Sequence, residues 1–96
     1  MSPLKRKKLG KIRSELDKLD NSLIKLIKKR TNLVNQVLNL KDKKKEIIDN
    51  KRINIILRNI RKKSIANKID PKITNRIWKN MIWSYIYYEK RNFKKK

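Results

Sequence analysis

Residues 12–41 read IRSELDKLDNSLIKLIKKRTNLVNQVLNLK, and this stretch decides the fold. Apolar residues fall at Ile12, Leu16, Leu19, Leu23, Leu26, Leu33, Val37 and Leu40, in steps that alternate between four and three. Such spacing lays one apolar seam along an α-helix, the pattern of helices that pair. The seam breaks once, at Arg30, between Leu26 and Leu33. A guanidinium there must meet an anion or reach water, because burying it alone is costly. The pattern holds from about Lys11 to about Lys43, roughly 48 Å of helix at 1.5 Å per residue. A compact domain of this size has a radius of gyration of about 13 Å. A helix so long overshoots it, which predicts pairing along its length, most simply with the same helix of a second chain.

Composition narrows the class. Ninety-six residues make one domain, 1–96, with a limited core of its own. One Gly and two Pro are few breakers, so the expected fold is all-α, with three helices of which the first is long. Thirty Lys and Arg against eight acids give a net charge of +22. Such a balance favours nucleic acid, acidic lipid or a carboxylate-bearing small molecule as partner. The lysine excess comes with many Ile and Asn, all codable by A/T-rich triplets, so part of the charge reads equally well as compositional drift.

Cys and His are both absent. That excludes disulfides, a thiolate nucleophile, an imidazole base and an ordinary Cys/His zinc site. No apolar run has the length of a membrane span. The basic start MSPLKRKKLGK is not followed by the apolar segment of a secretory signal, and a cytoplasmic protein is expected.

Ser2 and Pro3 suit the N-cap and first turn of a helix, while Gly10 weakens the turns around it, so residues 1–10 are expected to fray. The basic end, residues 93–96, is expected to fray as well. Residues 42–48, DKKKEII, are charged and break the seam, and read as a loop. A second helix is expected from Asp49 to about Ser64, with Ile53, Ile56, Leu57 and Ile60 as its apolar face. Asp70-Pro71 is the sharpest helix start in the chain. The third helix then runs to about Arg91, with Ile73, Ile77, Trp78, Met81, Ile82, Tyr85 and Tyr88 on its inner face.

Several charged residues sit on or beside these apolar faces. Lys41 is eleven residues after Arg30, which at 100° per residue returns it to within about 20° of the same side. Arg13 precedes Arg30 by seventeen residues and lies about 100° round the helix. It cannot easily share a site with Arg30 in one chain, but in an antiparallel helix pair it reaches the far end of the other copy. Asp49 and Arg52 flank the second helix's apolar face. Glu89 continues the spacing of Trp78, Ile82 and Tyr85 and needs a cation or hydrogen-bond partner if buried. Arg30 and Glu89 pairing with each other, or each reaching to water, is the structural alternative. Together, Arg13, Arg30, Lys41 and Arg52 with one inward carboxyl outline a pocket for a small polyanion.

The run IRSELDKLDNSLIKLIKKR, the Lys eleven residues after Arg30, DNKR at 49–52 and IDPKITNRIW at 69–78 together resemble the all-helical class of chorismate mutases. The resemblance covers about residues 9–91. It implies an intertwined homodimer with two active sites that converts chorismate to prephenate, with no metal, cofactor or covalent intermediate, in aromatic amino-acid biosynthesis.

The resemblance also implies roles. Arg30 and the partner chain's Arg13 would bind the two carboxylates of the substrate. Lys41 would donate to the ether oxygen of the breaking bond, with Arg52 adding positive potential. Asp49 would contact the ring hydroxyl. Glu89 stands where many members have Gln, a second donor to the ether oxygen; an ionised carboxylate cannot donate, so this role requires the neutral acid. Two departures stand out: Ile53 where the family commonly has Glu, and Tyr85, beside the substrate, where a small Ser is common and Ser84 is adjacent.

Two other functions fit part of the sequence. One is a basic nucleic-acid-binding helical protein, although the lysines are spread over every segment without an obvious recognition helix. The other is pyruvate elimination from isochorismate, an activity of the same fold. A non-catalytic coiled-coil scaffold and a membrane-surface helix rank lower.

Overall fold

The computed structural model describes residues 1–95, and these are helical wherever they are regular. The elements are α1 (Pro3–Leu40), a short 3₁₀ turn (Lys44–Ile47), α2 (Asn50–Ala66) and α3 (Pro71–Asn92). The chain divides into two compact units, Met1–Leu33 and Val34 onward, and each is described by itself.

The first unit is the greater part of α1. Its start is held by Ser2: Lys5 N donates to Ser2 Oγ at 3.2 Å and Arg6 N to Ser2 O at 2.9 Å. The helix therefore begins at Pro3 and includes Gly10. A side-chain cap with Pro3 behind it satisfies the first amides, which offsets the weak propensity of Gly10. The apolar seam is present and uncovered: Ile12, Leu16, Leu19, Leu23, Leu26 and Leu33 are each more than half exposed.

The second unit holds the core. Here α1 stops at Leu40, short of the expected Lys43, with Lys41 N donating to Leu38 O at 3.1 Å. Residues 42–48 are more than a loop. Glu46 Oε1 accepts from Lys43 N at 3.2 Å, closing the 3₁₀ turn. That turn drives Ile47 inward to 4% exposure, where it packs with Leu38 and Ile86. Ile48, Ile53, Ile82 and Phe93 surround this cluster. Past the end of α3 at Asn92, Phe93 packs against this cluster and Lys95 Nζ donates to Asn39 O at 2.6 Å. Lys96 lies outside the described residues.

Asp49 caps α2 by accepting from Arg52 N at 3.0 Å, and Asp70 caps α3 by accepting from Lys72 N at 2.9 Å. Between them α2 ends in a two-bond reversal: Ile69 N donates to Ser64 O at 2.8 Å and Lys68 N to Ile65 O at 3.1 Å. This pairing puts the residue after the cap into the left-handed region, and Lys68 is there with φ 57°. Across the resulting hairpin the buried hydroxyls of Ser64 and Thr74 lie 2.7 Å apart. Ser64 Oγ donates to Ile60 O at 2.6 Å, which leaves Thr74 to supply the proton between the two hydroxyls.

The apolar face of α2 is half-buried as expected. That of α3 is shifted. Ile73 and Ile77 are more than half exposed, while Thr74, Ile86 and Glu89 are buried. The Ser64–Thr74 bond turns α3 so that Thr74, not Ile73, faces α2.

Candidate active site

The site is built around Lys41, which the structure places one residue beyond the end of α1. Because the helix ends at Leu40, Lys41 is aimed by the closing turn to Leu38 and not by helical periodicity. Its ammonium Nζ donates to Glu89 Oε2 at 2.7 Å. Both side chains are largely shielded, with 17% and 10% of their surfaces exposed. Glu89 sits on the inner face of α3, one turn beyond Ile86 and so next to the core cluster. Its burial is tolerable because a cation, Lys41, meets it.

Beside the pair lies an open cleft lined by Lys41, Glu46, Ile48, Asp49 and Asn50. Asp49 therefore serves twice, as the cap of α2 and as a wall of the cleft. Arg52 is exposed on the first turn of α2, where its backbone completes the cap. Tyr85 is half-buried on α3, and its ring meets Tyr88 edge-on with centroids 6.4 Å apart. Ser84, its neighbour, is exposed. Ile53 packs against the core cluster.

Arg13 and Arg30 belong to the first unit: Arg13 is exposed and Arg30 half-buried on α1. Within the second unit the structure brings Lys41, Glu89 and Asp49 to one neighbourhood. Sequence reasoning missed Asn35, whose Oδ1 accepts from Tyr88 Oη at 2.8 Å and steadies α3 against the end of α1. A polar residue one turn before Leu38 was the available signal, but an Asn on an Asn-rich helix carries little information.

A shielded ammonium beside a carboxyl group can do one kind of chemistry well. It can place hydrogen-bond donors and positive charge against an oxygen that gains negative charge. Fold and site thus define a small helical protein suited to binding an anion and acting on it by charge and hydrogen bonding. The chain belongs to the chorismate mutase type II family, whose model matches residues 12–90. That span contains all seven candidate site residues, from Arg13 to Glu89, and supports the function of a chorismate mutase, an isomerase. Neither the comparison with curated proteins nor that with solved structures gives a match. Among the described residues no helix is long and apolar enough to cross a membrane.

Proposed function

We propose that the chain rearranges chorismate to prephenate as a single-domain, intertwined homodimer, in the cytoplasm and in the service of aromatic amino-acid biosynthesis. The observation that carries this reading is the shielded Lys41–Glu89 pair beside a cleft, inside the span matched by the family.

The reaction folds a flexible dianion into a chair-like conformer, breaks a C–O bond and forms a C–C bond in one step. Negative charge gathers on the ether oxygen as that bond stretches. Lys41 donates to this oxygen, and Glu89, in its neutral form, donates a second hydrogen bond to it. Before substrate arrives the Lys41 ammonium and the Glu89 carboxylate satisfy each other. Substrate binding separates them with uptake of one proton from solvent by Glu89, and each then turns a donor towards the same atom. Arg30 and the partner subunit's Arg13 grip the two carboxylates, for which the guanidinium fork suits better than an ammonium. Arg52 adds positive potential, Asp49 contacts the ring hydroxyl and Tyr85 closes the pocket against the ring. A rate enhancement near 10⁶ needs roughly 8 kcal/mol. Charge-assisted donors in a water-poor site together with restriction of the substrate's conformation supply that scale.

The dimer is supported by the uncovered seam of α1 and by the small core. Six seam residues are more than half exposed, and the described core has three buried apolar side chains, Leu38, Ile47 and Ile86. An apolar stripe of that extent on a soluble chain marks an interface. A second copy offers the same stripe, and the pairing presents Arg13 of the partner subunit to each pocket.

The test is direct. Purified protein is incubated with chorismate, its disappearance is followed by absorbance, and the product is identified by chromatography. Prephenate is the expected product. Pyruvate release from isochorismate with no chorismate turnover would replace this reading with the lyase activity of the same fold.

A further inference from the structure

At the other end of the α2–α3 hairpin lies a cavity of about 360 Å³ lined by Leu57, Arg58, Arg61, Pro71, Lys72 and Asn75. Three of these are cations. Arg58 and Arg61 are three residues apart on α2 and so project from one side of it. Lys72 comes from the first turn of α3. Among the described residues none of the three is in an ion pair. Asp70, two residues before Lys72 in the chain, is engaged in capping α3 through Lys72 N and does not line the cavity. Leu57 and Pro71, both half-buried, give it an apolar floor, and Asn75 adds an amide.

Like charges converging on a concave surface repel one another, and an anion relieves that repulsion. Two arginines from one helix side and a lysine from the facing helix offer forked and single donors to several oxygens at once, which suits a phosphate better than a lone carboxylate. The volume holds a small ligand and no more. The cavity is not the chorismate pocket. Lys72 and Glu89 are seventeen residues apart on one unbroken helix, about 25 Å along its axis.

We propose that Arg58, Arg61 and Lys72 form a second anion site that takes a phosphate group. That group belongs either to a small phosphate ester or to the backbone of a nucleic acid.

The probes are inorganic pyrophosphate and a short oligo-dT, titrated calorimetrically into the full chain at moderate salt. Because the chain carries +22, nonspecific attraction is the rival, and the variants are chosen against it. Arg58→Gln/Arg61→Gln removes two charges from the cavity. Lys62→Gln/Lys63→Gln removes two from exposed positions of the same helix. All four side chains are exposed, so the fold is retained, which circular dichroism checks. The site predicts saturable pyrophosphate binding that weakens about tenfold or more in the arginine double variant and less than about twofold in the lysine one. Lys41→Ala should leave it unchanged. If oligo-dT binding shows the same ranking, the phosphate is that of a nucleic-acid backbone; if oligo-dT ignores the arginine change, it is that of a small ester. Equal losses in the two double variants, no saturable binding, or loss of pyrophosphate binding in Lys41→Ala would overturn the proposal.

Discussion

Lys41 Nζ and Glu89 Oε2 are 2.7 Å apart, although 48 residues separate them in the chain. The contact joins the residue just after α1 to the last turns of α3, and it is the most shielded charge pair among the described residues. It has consequences for catalysis and for assembly.

For catalysis, the two kinds of cation should separate in kinetics. A donor to the ether oxygen strengthens only as charge develops, so its loss falls on kcat. Lys41→Ala should lower kcat by about 10²–10³, the scale for losing one donor to a developing oxyanion. Arg30→Lys keeps the charge and loses the fork, and should act mainly on KM. Steady-state kinetics of the two variants checks this; a larger kcat loss in Arg30→Lys would contradict the role of Lys41.

Glu89 has the donor role only through a proton on its carboxyl group. Glu89→Gln supplies an amide donor of nearly the same shape and should keep kcat at or above the parental value, whereas Glu89→Ala supplies none and should lower kcat by about 10²–10³. Steady-state kinetics of the two variants checks this; a parental kcat in Glu89→Ala would remove Glu89 from the donor role.

Shared sites make a mixing experiment decisive for assembly. Arg13→Ala and Lys41→Ala should each be nearly inactive. If the partner subunit's Arg13 completes the site, a mixed dimer has one intact site. Mixing the two inactive variants in equal amounts, with subunit exchange, should restore about a quarter of parental activity, since half the dimers are mixed and half their sites intact. No recovery, with exchange verified by mass spectrometry, would place both residues in one chain's site or abolish the dimer reading.

Stability has a separate handle at the hairpin corner. Lys68 holds a left-handed φ of 57°, a conformation in which a side chain costs about 1–2 kcal/mol. Lys68→Gly removes that strain but frees the unfolded chain, for a net gain of about 0.5–1 kcal/mol. Urea unfolding should show a higher midpoint with an unchanged slope.

Local signals in the sequence located the helix starts well. Asp49 and Asp70-Pro71 cap at the positions their residue types favour, because a cap is satisfied by amides two or three residues away. The α2 face was legible for the same reason: its period is internal to the helix. The face of α3 was legible only in part. Ile73 and Ile77 fit an apolar stripe, yet the hydrogen bond from Thr74 to Ser64 on another helix sets which side turns inward. Ile47 was hidden in a charged run, and only the 3₁₀ turn after Lys43 reveals that it points to the core. Lys68 gave no sign of its left-handed backbone, since the usual Gly is missing there.

The candidate site divides in the same way. The stretch 12–41 determined a long amphipathic helix with one cation on its seam, because helical periodicity is a property of spacing alone. Spacing also marked Lys41 and Glu89 as charges in places that favour apolar groups. What joins those two is the end of α1 at Leu40, the 3₁₀ turn beyond it and the packing of α3 on Leu38 and Ile47. A buried charge chooses its partner by distance in space, and that distance is set only when elements far apart in the chain have packed.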